Sequence, residues 1–528
     1  MKSTKTPPKM GARIHGTLWP TAVDSSMTLR SELGLSGNGC KACGTFCGTF
    51  CSWGWQGLVF KIGRGAAPDQ KEMTDIEGLT RVPARHWPLW YHARRLPRHK
   101  AAAEEKTMAG ENLNPFESAR TFVQTGERAV QELDHWQQVG EEEVSKVLEM
   151  TRRNELSGGT PVVRAFEKTW REWVGTRFAI TTVNGTSALY SAYFGLGVGP
   201  GDEVICPVNT WICSIAPALL LGARPVFCDI DPDTLMIDPE DLKARITDET
   251  ACICAVHLWG NICNLDAIAS IASAHGVPVL EDCSHAHGAK YKGRMCGAVG
   301  AVGCWSLQGS KPVSAGEGGV VATDLIDVFE RACLVGQVNR IAGIDLVGAK
   351  YEEHQPLGLG MKFRAHPLGI GIAAVQFEKL PELNRRRRAY IEAVEAGLAD
   401  IPGLRPIGVY EGAERAGFYG FPVIHESEET GMSTEELVAA LREAGLKASL
   451  DPYPSLHTLP LFAKGFDIFT RGRGPLCPCE GYTGYAPDAF PNEALAKSRT
   501  VFLPVLSNPA PGAAEVVLEA IECALARA

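Results

Sequence analysis

No apolar stretch in this 528-residue chain reaches the length that a membrane-spanning helix needs. Segments such as IAPALLLGA stop far short. The positively charged start, MKSTKTPPKMGARIHG, has no apolar segment behind it, so it does not read as a secretory signal. There is no excess of positive charge either. The formal net charge is −9, which argues against nucleic acid as the main partner, because DNA and RNA call for a basic face. A disulfide framework is also missing. The 17 cysteines lie mostly in apolar segments such as ACICAV, where a free thiol behaves as a small hydrophobe. That usage predicts a reducing compartment and a cytoplasmic protein with no membrane partner.

What is present is an ordinary globular mixture, 45% hydrophobic and 21% charged, in a chain long enough for two or more domains. Three parts can be distinguished. Residues 1–110 are rich in glycine, proline and basic residues, and no helical or strand period persists in them. They predict a low-order extension, with Met108 as an alternative start, or else an arm that docks on a partner. Within it CKACGTFCGTFC brings Cys40, Cys43, Cys47 and Cys51 together. The spacing matches neither a zinc ribbon nor a ferredoxin run, so no metal is assigned.

Residues 111–380 turn regular. GEEEVSKVLEMTRRNEL places Val144, Val147, Leu148 and Met150 near one helical face, and PVVRAFEKTWREWVG reads as a second amphipathic helix. Apolar strands then alternate with helices: FAITTVNG, DEVICPV, RPVFCDI, a strand within TACICAVHLWG, PVLEDCS and VGCWSLQ, with TSALYSAYFGLG, ICSIAPALLLG and LDAIASIASAHG among the connections. That order predicts an α/β fold with a mostly parallel central sheet covered on both faces. Residues 381–528 are expected to form a smaller C-terminal α+β domain. The run Arg385–Arg388 in its first helix reads as a solvated face rather than a binding patch.

Active sites of parallel sheets lie where strands end in loops, and the chemistry-bearing residues sit there. In VNGTSAL, Gly185 turns the chain, and Thr186 and Ser187 open a helix whose free N–H groups can hold an anion. The plain alternative is an N-cap. In CPVNTWICS, Trp211 offers a flat face to a planar ring, or is simply core. In VLEDCSHAHG, an apolar strand ends in Glu281 and Asp282, and a partly desolvated carboxylate there calls for a cation. His285 and His287 follow, and with Asp282 they could bind a metal, but no fourth ligand is obvious. Finally, SLQGSKPVSAGEGG sets Lys311 just before a run of glycines, with Ser306 at its start. A lysine held in a partly dry pocket has a lowered pKa and forms a Schiff base with an aldehyde. Anion cradle, aromatic face, carboxylate and lysine answer to the phosphate, ring, ring nitrogen and aldehyde of pyridoxal 5'-phosphate.

With these residues in view the chain resembles the DegT/StrS family of nucleotide-sugar and aminocyclitol aminotransferases, fold-type I pyridoxal-phosphate enzymes. The resemblance rests on NGTSAL, GPGDEVICPVNTW, GARPVFCDIDPDT, AVHLWGN, EDCSHAHGAKYKGR and SLQGSKPVSAGEGG. It covers residues 138–380 closely and the rest more loosely. It implies the aspartate aminotransferase-like fold, with Lys311 as the Schiff-base lysine and Asp282 as the partner of the ring nitrogen. Trp211 would stack on the ring, and His285 would lie beside the cofactor. Gly185, Thr186, Ser187 and Ser306 would hold the phosphate. One stretch departs from the family's G-x-N-x-R pattern: GMKFR carries Lys362 in the asparagine slot and keeps Arg364. Lys362 would then bind the phosphate of a neighbouring subunit's cofactor as a point charge. A branch of the family that removes a sugar hydroxyl has histidine at the lysine position, so Lys311 favours transamination.

The implied function is transfer of an amino group from glutamate or glutamine to a keto sugar, nucleotide-linked, or to a keto-cyclitol. The implied assembly is a homodimer. Two rivals keep the cofactor: a dehydrating or aromatising enzyme of the same family, and a non-catalytic regulatory protein. A metal hydrolase built on Asp282, His285 and His287 is the third. In SLDPYPSLHTLPLF, Tyr453 and His457 are candidates for substrate selection or for packing.

Overall fold

The computed structural model describes residues 133–340, 346–355 and 357–526. The extension over 1–110, with Met108 and the four close cysteines, lies outside them. Among the described residues no helix is long and apolar enough to cross a membrane.

Two helices lead in, α1 (Glu141–Arg152) and α2 (Pro161–Val174). Pro161 occupies the first turn of α2, where its missing N–H costs nothing, and Gly175 stops the helix in the left-handed conformation at φ 85°. The face expected on α1 is not the one it buries. Met150 is buried, but Val144 and Leu148 are about half exposed. The buried polar contact is Glu143, which accepts from Lys379 Nζ at 2.8 Å and from the Gly140 N–H at 2.9 Å.

Strands and helices then alternate as expected: β1 (Phe178–Thr182), α3 (Gly185–Leu196), β2 (Glu203–Pro207), β3 (Arg224–Cys228), β4 (Thr250–Val256) and β5 (Val279–Asp282). A small hairpin, β6 (Lys290–Tyr291) and β7 (Arg294–Met295), precedes β8 (Val302–Ser306) and β9 (Gly319–Thr323). The main sheet has seven strands in the order β1-β9-β8-β5-β4-β2-β3. All pairs are parallel except those of β9, which runs against both β1 and β8. Every residue of β2 is buried, and six of the seven in β4, because helices cover both faces.

The sheet order positions the site. Six strands point their carboxyl ends the same way, and β9 begins at that edge. The chain leaving β1, β2, β5 and β8 and the β8–β9 connection holding Lys311 therefore gather at one edge.

A helix of 32 residues, α4 (Pro367–Leu398), follows. Ile370 and Ala373 belong to the core of the main sheet. Tyr390, Ile391, Val394 and Leu398 belong to a second core, built on the antiparallel sheet of β10 (Leu404–Pro406), β12 (Phe421–His425) and β13 (Thr500–Leu503). The short β11 (Ala413–Glu414) pairs instead with β6. The boundary expected at residue 380 thus falls inside α4, beside Pro381. Eleven described cysteines are free, nine of them buried. Cys477 and Cys479, by contrast, form a disulfide across a single proline, which composition alone does not foresee.

Candidate active site

At the end of β1, Asn184 caps α3 by accepting the Ser187 N–H at 2.8 Å. Gly185 has to be glycine: a Cβ there would lie 2.7 Å from Ser306 Cβ and 3.0 Å from Ser306 Cα. The tight approach brings the end of β8 against the first turn of α3. Thr186, Ser187 and Ser306 are half-buried around that junction.

The two carboxylates at the end of β5 have different surroundings, because neighbouring side chains leave a strand on opposite faces. Glu281 accepts from the N–H groups of Gly297 and Val299, both at 2.8 Å, and of Gly300 at 2.5 Å, and it contacts His257 Nε2 at 3.0 Å. It organises the turn before β8. Asp282 is buried with a sparser set: the Ser214 hydroxyl donates to Oδ2 at 2.8 Å and the Ser284 N–H to Oδ1 at 3.1 Å. Ser214 lies in turn 3.1 Å from Thr210 Oγ1, so the β2 loop supports this carboxylate.

His285 is buried in an aromatic cage. Its ring stacks on Tyr419 with centroids 4.1 Å apart and lies 5.2 Å from Trp259. The Trp259 N–H donates to His285 Nδ1 at 3.3 Å, and Tyr453 Oη is 3.4 Å from Nε2. The donated bond requires Nδ1 to be an acceptor. Burial, then the nearby Lys311 and His287, hold the imidazole well below its usual pKa, so it is neutral. Trp259 reaches this position from a left-handed backbone, φ 59°, which is a strained choice for a bulky residue. Tyr453 stacks on Trp259 at 4.8 Å and meets Trp211 at 5.4 Å, so these three residues and His285 form one wall. His457 turns elsewhere, to the Pro487 carbonyl at 3.1 Å and the Phe490 ring.

Lys311 is buried, and its Nζ sits 3.5 Å from the centre of the Tyr419 ring. Burial pulls its pKa down to about 7, against the opposing pull of Asp282. The residue lines a cavity of about 400 Å³ with Trp136, Gln138, Gln308, Ser310 and Arg387. Arg387 is a correction to the reading of Arg385–Arg388 as a solvated face. Arg385 and Arg386 pair with the exposed Glu382, but Arg387 turns inward.

Other expected residues do not join this cluster. Ligand atoms of Asp282, His285 and His287 do not converge within 4.8 Å, which removes the geometric basis of the metal reading. His287 is fully buried edge-on to Trp170, and burial pushes its pKa down to about 3. Lys362 is exposed, on a strip that bridges to Gln337. Among the described residues it forms no ion pair. Tyr419, Trp259 and Ser214 carry no mark in the sequence, since aromatic and hydroxyl residues are common in any core or turn.

The residues present fit pyridoxal phosphate. The lysine is buried with a lowered pKa, a buried carboxylate influences it from the neighbouring strand end, and the Gly185–Ser306 junction leaves no room for a side chain beside the hydroxyls of Thr186, Ser187 and Ser306.

Comparison with known proteins bears on the fold and the family. Residues 137–471 match the DegT/DnrJ/EryC1/StrS aminotransferase family. An aminotransferase from Psychrobacter cryohalolentis superposes with a TM-score of 0.65 at 25% identity, over 75% of this chain and 99% of that one. A 3-amino-5-hydroxybenzoic acid synthase gives 0.63 at 28% identity, over 75% and 99%. The structure of DesI in the presence of its TDP-sugar product gives 0.61 at 26%, over 75% and 92%. The chain therefore belongs to the DegT/DnrJ/EryC1/StrS aminotransferase family and is a pyridoxal-phosphate-dependent aminotransferase.

Proposed function

We propose that the protein transfers the amino group of glutamate or glutamine to a ketone on a nucleotide-linked sugar or a cyclitol. The observation that carries this reading is the state of Lys311: buried, with a pKa of about 7, and lining a cavity. A lysine poised near neutrality can both take and return a proton. When bound, pyridoxal phosphate supplies the electron sink for the charge that develops on the donor carbon.

In this reading Lys311 Nζ would hold the cofactor, and the same amine would take the proton from the donor carbon and return it. Asp282 keeps the ring nitrogen protonated, because an opposite charge nearby favours the charged form. Ser214 and Ser284 hold that carboxylate in place. Trp211 and His285 enclose the ring. Gly185, Thr186, Ser187 and Ser306 hold the phosphate. A homodimer belongs to the same reading: Lys362 is exposed and free to reach a partner's phosphate, and Val144 and Leu148 leave apolar surface on α1.

The test begins with an absorption spectrum of the purified protein before and after borohydride, followed by peptide mapping. The expected result is a band that disappears on reduction and a pyridoxyl group on Lys311. Keto sugars and keto-cyclitols are then screened with glutamate and with glutamine. Amino product formed only with a donor supports the assignment. Conversion of a ketone without any donor would replace transamination with the dehydrating or aromatising chemistry that also retains this lysine.

A further inference from the structure

Eleven described cysteines are free, yet Cys477 and Cys479 are joined, one residue apart, in a segment that follows His457. The far side of that segment is fastened to β3, at the edge of the main sheet. Tyr485 Oη accepts the Phe227 N–H at 3.1 Å and donates to the Pro225 carbonyl at 3.3 Å. Between these ends the chain turns back on itself, with the Phe466 N–H on the Leu476 carbonyl at 2.9 Å. The turn brings Asp467 to the two sulfurs. One carboxylate oxygen of Asp467 and both Sγ atoms lie within 4.8 Å of one another.

Asp467 is aimed but not neutralised. The Gly472 N–H donates to Oδ2 at 2.7 Å and the Gly474 N–H to Oδ1 at 3.1 Å, so each oxygen keeps a lone pair. Among the described residues Asp467 forms no ion pair. Arg473 lies on the same turn, but it donates to the carbonyls of Thr470 and Phe469, at 3.3 and 3.1 Å. A second carboxylate stands close. A Cβ on Gly472 would meet Glu480 Oε1 at 2.6 Å and Cys479 Sγ at 3.3 Å. Glu480 forms no ion pair among the described residues either. Thiolate sulfur with carboxylate oxygen is a donor set for a zinc-class ion. Bonds of about 2.0–2.3 Å to a tetrahedral ion set its ligand atoms about 3.3–3.8 Å apart, so opening the S–S bond is the main change the cluster needs.

We infer that Asp467, Cys477 and Cys479 form a binding site for a zinc-class divalent ion in the reduced protein. Cys479 is exposed, so a thiol can reach its sulfur. Exchange with a dithiol passes two hydrogens to Cys477 and Cys479 and joins the two sulfurs of the reductant. The ion then replaces both thiol protons, which leave to solvent. Disulfide and ion exclude each other, because they use the same sulfurs. The bound ion fastens the turn that the disulfide fastens when oxidised.

The experiment uses the pyridoxal-phosphate-loaded full-length protein, reduced with dithiothreitol and freed of it without air. Zinc is added in steps, iodoacetamide follows, and peptide mapping reads Cys479, separately from the four cysteines near the start of the chain. The expected result is full alkylation without zinc and protection with it. In Asp467→Asn, protection is expected to need at least about tenfold more zinc, with cofactor content unchanged. Full alkylation at saturating zinc overturns the inference. So does protection at the same zinc concentration in Asp467→Asn, or a Cys479 that stays closed to iodoacetamide after reduction and before any zinc. Should Asp467→Asn fail to fold, the wild type still decides. Cobalt added in place of zinc is expected to give a sulfur-to-metal absorption band that is weaker in Cys479→Ser, and a band of equal strength there overturns the inference.

Discussion

The amine of Lys311 lies 3.5 Å from the centre of the Tyr419 ring, and that ring is itself held by stacking on His285 and by contact of its hydroxyl with Ser310 Oγ at 2.9 Å. Two opposing effects meet at this contact. The ring face attracts a protonated amine by about 0.5–2 kcal/mol. Burial works the other way. A fall from 10.5 to about 7 is worth roughly 5 kcal/mol, at about 1.4 kcal/mol per tenfold change in proton affinity. Burial dominates, so Tyr419 acts mainly as a seal. Tyr419→Ala is expected to admit water and raise the Lys311 pKa by at least about one pH unit. The rate of cofactor uptake by the cofactor-free protein, followed against pH, reads it. A downward shift would show that the ring acts chiefly through its attraction for the charge.

The same residue makes stability depend on pH. The folded-state pKa of Lys311 lies below the value of 10.5 expected in the unfolded chain. Between about pH 7 and 10.5 the unfolded chain binds the extra proton, so this group's contribution to stability rises with pH across that window and is lost as pH falls through 7. Lys311→Met removes the penalty. The cofactor-free variant is expected to be more stable than wild type at pH 7, with the gap narrowing by roughly 2–3 kcal/mol at pH 9. Urea unfolding at both pH values checks it, and a constant gap would mean the amine is not held neutral.

Gly185→Ala tests the junction of α3 and β8. The added Cβ would sit 2.7 Å from Ser306 Cβ, closer than real contacts allow, and the backbone of β8 cannot yield easily. Overpacking of this kind costs about 1–3 kcal/mol. The variant is expected to unfold at lower urea and to bind cofactor more weakly by equilibrium dialysis. Ser306→Gly removes the closest atom and is expected to restore part of the stability. Absence of any loss in the single variant would show that the two segments can part without consequence.

What the residue pattern reveals here follows from burial and period. Strands β2 and β4 are buried on both faces, so they read as apolar runs, and the parallel sheet follows from their alternation with helices. The direction of β9 is not encoded in such a run, because a buried strand looks alike in either direction. Lys311, Asp282 and His285 stand out because charged or titratable residues at the ends of apolar strands are unusual. Arg387 does not, because a helix turns about 100° per residue and a run of four arginines conceals the one that faces inward. Val144 and Leu148 mislead in the opposite sense: apolar residues are also common on surfaces, and the buried partner of α4 is Glu143 instead. Ser214 is invisible for a plainer reason, since a serine after a strand usually only caps a turn.

Ser214 provides the sharpest separation of positioning from chemistry. Its hydroxyl donates to Asp282 Oδ2 at 2.8 Å and is itself braced by Thr210 at 3.1 Å. In the proposed reaction Asp282 would hold the proton on the cofactor nitrogen, and the Ser214 hydroxyl, bonded to Asp282 and Thr210, would act only through that carboxylate. A hydrogen bond to a charged group is worth about 1.5–3 kcal/mol. Ser214→Ala is therefore expected to slow amino transfer by about 10–100-fold while cofactor content stays near wild type. Asp282→Asn should slow it much further and also move the absorption band of the bound cofactor, because the ring nitrogen loses its counter-charge. Rate, cofactor content and spectrum measured together separate the roles. If Ser214→Ala shifted the band as far as Asp282→Asn does, the serine would be setting the protonation of the ring and not merely aiming the carboxylate. If Asp282→Asn left both rate and band unchanged, the ring nitrogen would have to find its partner elsewhere.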